Sequence, residues 1–158
     1  MRRLLPLLLL VPFAASACGG GSGDASRSTT TGPLSPGAFV KAGNAVCIAA
    51  DKRVYAIGRL TRDPQGWKKT ADSARRGVRE MSVLKPPADR AVDFTRMLKY
   101  ARAFTLSIQE VHLSLLKNDI DTAAAAQIAA GRLQDEVHNV AKRLGLTFCQ
   151  QRMTNWPA

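Results

Sequence analysis

Residues 118–145 read NDIDTAAAAQIAAGRLQDEVHNVAKRLG, and in this run Ala123, Ala126, Ala130, Leu133, Val137, Val140 and Leu144 recur at intervals of three and four. That spacing draws a single apolar stripe down one α-helix, entered through the turn Asn118 to Asp121 and closed by Gly145 as a C-terminal cap. The same pattern extends back through the chain. A third helix is predicted from about Ala88 to Leu116, with Ala91, Phe94, Leu98, Ala101, Thr105, Ile108, Val111 and Leu115 facing inward. A second begins at Asp63-Pro64, carries Trp67, Ala71, Ala74, Val78, Met81 and Leu84, and stops before Pro86-Pro87. The first opens at Ser35-Pro36, a capping hydroxyl followed by a proline suited to the first turn, and runs through Phe39, Gly43, Val46, Ala50, Val54, Ile57 and Leu60. Four amphipathic helices with short connections predict an all-α, antiparallel up-down four-helix bundle over residues 35–158. Aromatic residues make up only 6% of the chain, which suits packing through small and aliphatic side chains better than a β-sandwich.

The N-terminal part has a different character. Arg2 and Arg3 precede an apolar run from Leu4 to Phe13 and the small residues Ala14 to Ala17, the pattern of an export signal over residues 1–17. Ala15-Ser16-Ala17-Cys18 resembles a bacterial lipobox, with Ala where Leu is usual, so Cys18 is the expected site of diacylglyceryl attachment. A spanning helix needs roughly 20 apolar residues, and this stretch is shorter, contains Pro6 and Pro12, and runs into Gly19-Gly20-Gly21-Ser22-Gly23. Residues 18–34, rich in Gly, Ser and Thr, are predicted to be a flexible tether. Their glycine cluster lacks the preceding strand and following helix of a phosphate-binding loop.

With Cys18 lipidated, Cys47 and Cys149 remain, and export would place them in an oxidising compartment. A disulfide between them is expected. An even number of helices brings the tail after helix four back toward helix one, whereas three helices would leave the two cysteines at opposite ends. The alternatives are free thiols or a structural metal site, and the latter lacks further ligands nearby.

Phe39-Val40-Lys41-Ala42 running on to Ala45-Val46-Cys47-Ile48-Ala49-Ala50, then Leu84-Lys85-Pro86-Pro87-Ala88 and Leu144-Gly145-Leu146 before Cys149, resemble a family of small uncharacterised lipoproteins and secreted proteins of actinobacteria. The resemblance implies the helices and the cysteine pair and supplies no site residues.

Chemistry is harder to place. His112 and His138 each sit in a Glu-Val-His tripeptide, but i, i+2 spacing sends the Glu and His to nearly opposite sides of a helix, unlike the i, i+3 pairs of bundle metal sites. No metal site or cofactor is expected. No Ser lies in a Gly-x-Ser-x-Gly turn, and Asp119, Asp121, Asp135 and Glu136 fit helix surfaces and N-termini, so an enzyme is not expected either. The chain carries a formal charge of +11, or +9 once Arg2 and Arg3 leave with the signal. Lys68, Lys69, Arg75, Arg76, Arg79 and Lys85 concentrate that charge on helix two, near Lys52, Arg53, Arg59 and Arg62. Such a face either keeps the bundle soluble or attaches it to anionic lipid or cell-wall polymer. Nucleic acid is the wrong partner, since no recognition motif accompanies the charge. The expectation is a lipid-anchored protein on the extracytoplasmic side of the cell membrane, a non-enzymatic binding module for an envelope component or protein partner. The alternative is a small-ligand or metal-binding bundle.

Overall fold

The computed structural model describes residues 32–60 and 62–150. The signal segment, Cys18 and residues 151–158 lie outside them. The described chain is all-α, with α1 (Pro36–Tyr55), α2 (Pro64–Ser82), α3 (Ala91–Leu116) and α4 (Ile120–Leu144), plus one-turn 3-10 helices at Ala88–Arg90 and Thr147–Gln150. Among the described residues, no helix is long and apolar enough to cross a membrane.

The boundaries follow local chemistry. Ser35 accepts from the Ala38 N–H, Asp63 accepts from the Gln65 and Gly66 N–H groups, and Asp119 accepts from the Thr122 N–H, so three helix starts have a side-chain cap. Gly145 takes φ 76°, and the Leu146 N–H then reaches back to the Ala141 carbonyl at 2.9 Å, which ends α4 and turns Leu146 into the core. The first helix is shorter than its apolar spacing predicts. It stops at Tyr55, and Gly58 at φ 82° turns the chain, yet Ile57 is half-buried and Leu60 buried because the link folds over Trp67. Likewise α2 ends at Ser82, and α3 begins three residues later than expected, after a 3-10 turn.

Each helix packs antiparallel on the next in chain order, α1 on α2, α2 on α3 and α3 on α4. Between α4 and α1, however, the packing runs mainly through the 3-10 turn Thr147–Gln150, which contacts both. Leu146 is fully buried there against Gly43, and Cys149 is bonded to Cys47 with their Cα atoms 5.2 Å apart. The Phe148 N–H also donates to the Asn44 side-chain carbonyl at 3.1 Å. The expected disulfide is therefore present, and the tail reaches the middle of α1. Closing a loop of 102 residues contributes up to about 4.7 kcal/mol on the chain-entropy model.

The core has two parts. Phe39, Phe94, Leu98, Val140, Leu144 and Leu146 fill the end where α1 begins, with the Phe39 and Phe94 rings edge to face at 5.4 Å. Trp67, Phe104, Ile108, Val111, Ala123 and Ala130 fill the other end.

Gly43 sets the fit of the tail. A Cβ there would lie 2.7 Å from a Leu146 methyl. Helix propensity favours Ala over Gly by about 0.8–1.0 kcal/mol, but overpacking a fully buried neighbour costs typically 1–3 kcal/mol, so the clash wins. Gly43→Ala is expected to lower the unfolding free energy by about 1 kcal/mol, read as a lower urea midpoint at unchanged slope. An equal or higher midpoint would mean that Leu146 has room to turn away.

Candidate functional site

At 100° per residue, Lys68, Lys69, Arg75, Arg76 and Arg79 fall within an arc of roughly 120° on α2, and all five are exposed. The arc lies opposite the stripe of Trp67, Ala71, Ala74, Val78 and Met81, so burying the apolar side of α2 necessarily turns the bases outward. Lys85, also exposed, sits beyond the helix in the link to α3, where its carbonyl accepts from the Leu34 N–H and ties the start of α1 to that link.

Two acids divide this face. Asp72 accepts from Lys68 at 2.8 Å and from Arg75 at 3.0 Å, while Arg75 also donates to Gln109 on α3. Glu80 accepts from Arg76 at 2.7 Å and from Arg53 of α1 at 2.9 Å. Lys69 and Arg79 have no side-chain partner among the described residues. Sequence reasoning named only the bases and passed over both acids, whose signal was their i, i+4 and i, i+3 spacing from Lys68, Arg75 and Arg76. Taken over α2, five bases face two acids, a surplus of three positive charges.

These pairs set the ionisation of the acids. The hydrogen bond from Lys68, joined by the charges of Lys68 and Arg75, holds the Asp72 carboxyl below its ordinary value against the opposing effect of burial. Hydrogen bonds from Arg76 and then Arg53 do the same for Glu80. On the far side of the bundle, Arg143 of α4 hydrogen-bonds Asp93 of α3 and lowers its carboxyl likewise.

The two histidines do not share a site. Nδ1 of His112 lies 2.9 Å from the Pro64 carbonyl oxygen and donates to it, pinning α3 to the start of α2. His138 lies on α4, and the Asp93–Arg143 pairing fixes the register of α3 against α4 so that the histidines stand roughly 20 Å apart along the bundle. Among the described residues, no group of three His, Cys, Asp or Glu side chains is placed to hold a metal ion.

A cleft lies where the 3-10 turn separates α4 from α1. Its inner lobe, about 150 Å³, is bounded by α1, α2, α3 and α4 and is lined almost wholly by apolar atoms. Its outer lobe, about 140 Å³, shares Cys47, Ala50, Ala101, Phe104, Val137 and Cys149 with the inner one and opens past Asp51, His138 and Phe148. Gln134 lines the outer lobe. Sequence reasoning missed this cleft and Gln134, whose position at the edge of the α4 stripe reads as surface.

Comparison with family models, with curated proteins and with solved structures finds no match to this chain. The small helical domain and its Cys47–Cys149 disulfide thus stand on the chain's own geometry.

The acid pairs give a pH dependence of definite sign. A carboxyl lowered by folding contributes stability that is present above its unfolded value, near 4, and is lost as pH falls through the lower folded value. The urea midpoint is expected to hold from neutrality to about pH 5 and to drop below about pH 4. In Glu80→Gln the drop should be smaller, and an unchanged drop would remove Glu80 from the account.

Proposed function

We propose that the protein is an extracytoplasmic lipoprotein, cleaved before Cys18 and held on the cell membrane by lipid on that cysteine. In this reading the bundle is a non-enzymatic binding module that docks its α2 face on an anionic envelope surface. The lipobox-like Ala15-Ser16-Ala17-Cys18 and the resemblance to small actinobacterial lipoproteins support the anchor. The disulfide supports export, since such bonds persist in oxidising compartments.

The observation that carries the binding reading is the charge left on α2 after local pairing. Exposed surface ion pairs are each worth at most about 1 kcal/mol, so Asp72 and Glu80 blunt the face without cancelling it. A helix of 19 residues is about 28 Å long, with Lys68 and Lys69 near one end and Arg79 near the other. A flat anionic surface meets all of them only when α2 lies parallel to it. Each base near such a surface contributes about 1 kcal/mol. With the acyl chains already supplying attachment, the role of the basic face is orientation, setting the bundle on its side against the surface.

Two measurements test these steps separately. Mass spectrometry of the mature N-terminus is expected to show an acylated Cys18, and an unmodified cysteine would end the anchor proposal. Residues 18–158 with Cys18→Ser should sediment with phosphatidylglycerol vesicles and be released by salt. Lys69→Ala with Arg79→Ala should weaken this binding by about thirtyfold, the equivalent of roughly 2 kcal/mol. Binding no greater than to phosphatidylcholine vesicles would sink the charge-based docking.

A further inference from the structure

At the middle level of the bundle small side chains stand beside larger ones such as Phe104 and Met97. Ala50 on α1, Ala74 and Gly77 on α2 and Ala101 on α3 meet there, and a Cβ on Gly77 would stand 3.4 Å from that of Ala50. Above and below this level the two halves of the core are filled by aromatic and aliphatic side chains. Across from α1 the gap is not closed by α4, because the turn carrying Cys149 holds the two helices apart. The outcome is the two-lobed cleft rather than a third packed layer. Protein interiors are ordinarily close-packed, so a half-open cleft on this scale in the side of a small bundle forgoes contacts that larger side chains at the same positions would make.

Gln134 indicates what the cleft holds. It is 9% exposed, lines the outer lobe, and its amide has no hydrogen-bond partner among the described residues. The buried side-chain polar atoms without a partner among the described residues are Arg53 Nε and Ser73 Oγ, so the Gln134 amide keeps contact with water in the lobe and is available to a guest there, where Leu would only continue the apolar wall. A polar group on the wall of an otherwise apolar lobe is suited to orient a guest seated in that lobe. The size of the guest follows from volume. An apolar protein cavity of about 150 Å³ accommodates benzene, and drug-sized ligands need about 300 Å³ or more, so each lobe takes one ring or a short alkyl segment. Its charge follows from the lining. The inner lobe offers almost no polar surface to replace the hydration of an ion, and the Asp51 carboxylate at the mouth opposes an anion.

The geometry points to a binding site for a neutral, ring-sized apolar molecule with one hydrogen-bonding group, seated in the cleft between α1 and α4 with that group on the Gln134 amide. The site uses none of the basic residues of α2. Cys47 and Cys149 form part of its wall, so the bond that closes the bundle also shapes the chamber.

Phenol and toluene are suitable probes, followed by NMR of the Gln134 side-chain amide and the Val137 methyl groups in residues 18–158 carrying Cys18→Ser. Both probes are expected to give saturable shifts at these two positions, with phenol the tighter. Gln134→Leu should weaken phenol by about tenfold and change toluene by less than about twofold. Ala101→Leu, which fills the space shared by both lobes, should abolish binding of either probe while leaving the urea midpoint equal or higher. If Ala101→Leu disturbs folding, Ala50→Val provides the second blocking variant. Shifts that stay linear up to the solubility limit would overturn the proposal, as would saturable binding that survives both blocking variants. Equal weakening of phenol and toluene by Gln134→Leu would overturn the role of the amide.

Discussion

The architecture depends on how the last helix is joined to the first. In a closed four-helix bundle α4 would lie directly on α1, but here the chain reverses at Gly145 and lays Leu146 to Cys149 between them. Leu146 enters the space left by Gly43, and the Cys47–Cys149 bond fixes the tail there. The left-handed Gly145, the bare backbone at Gly43 and the cysteine pair are thus one device: the first aims the tail, the second admits it and the third keeps it in place. Arg90 reinforces it by donating to the Leu144 carbonyl at 3.0 Å, one of the groups left open at the end of α4.

Holding α1 away from α4 has a cost at mid-height. The two ends of the bundle are filled by bulky residues, whereas at the middle Ala50, Ala74, Gly77 and Ala101 stand beside Phe104 and Met97 and a cleft stays open. Charge is arranged by the same economy of space. Because α2 commits Trp67, Ala71, Ala74 and Met81 to the interior, its bases have only the outer arc, and Asp72 and Glu80 relieve their crowding.

The helices were legible because their signals are local. Ser35-Pro36, Asp63-Pro64, Asp119 and Gly145 act on the backbone next to them, and the predicted inward positions on all four elements are buried or half-buried. The link after Tyr55 misled for a physical reason: Ile57 and Leu60 are apolar at helical spacing because they pack on Trp67, and burial does not require them to be in a helix. The disulfide followed from counting thiols and helix parity. The cleft could not be read in this way, since it arises from the distance between two helices set by a third segment. Gln134 and Ala101 look ordinary along the chain and acquire meaning only across the bundle. Met97 and Phe104, both buried, were missed because α3 contacts α2 and α4 and needs a wider apolar arc than one stripe. Cys18 belongs to a part of the chain outside the described residues.

The Cys47–Cys149 bond also turns α2, α3 and α4 into the interior of a covalent ring, with α1 crossing its edge. Consider tension applied to the chain before Ser35 and resisted at any point on the last three helices. It can unwind α1 only from Pro36 to Val46, three turns of helix, before the load reaches the ring and divides between its two covalent arms. The segment nearest the pull is thereby the sacrificial one, and the ring keeps the remaining helices from being drawn out in single file.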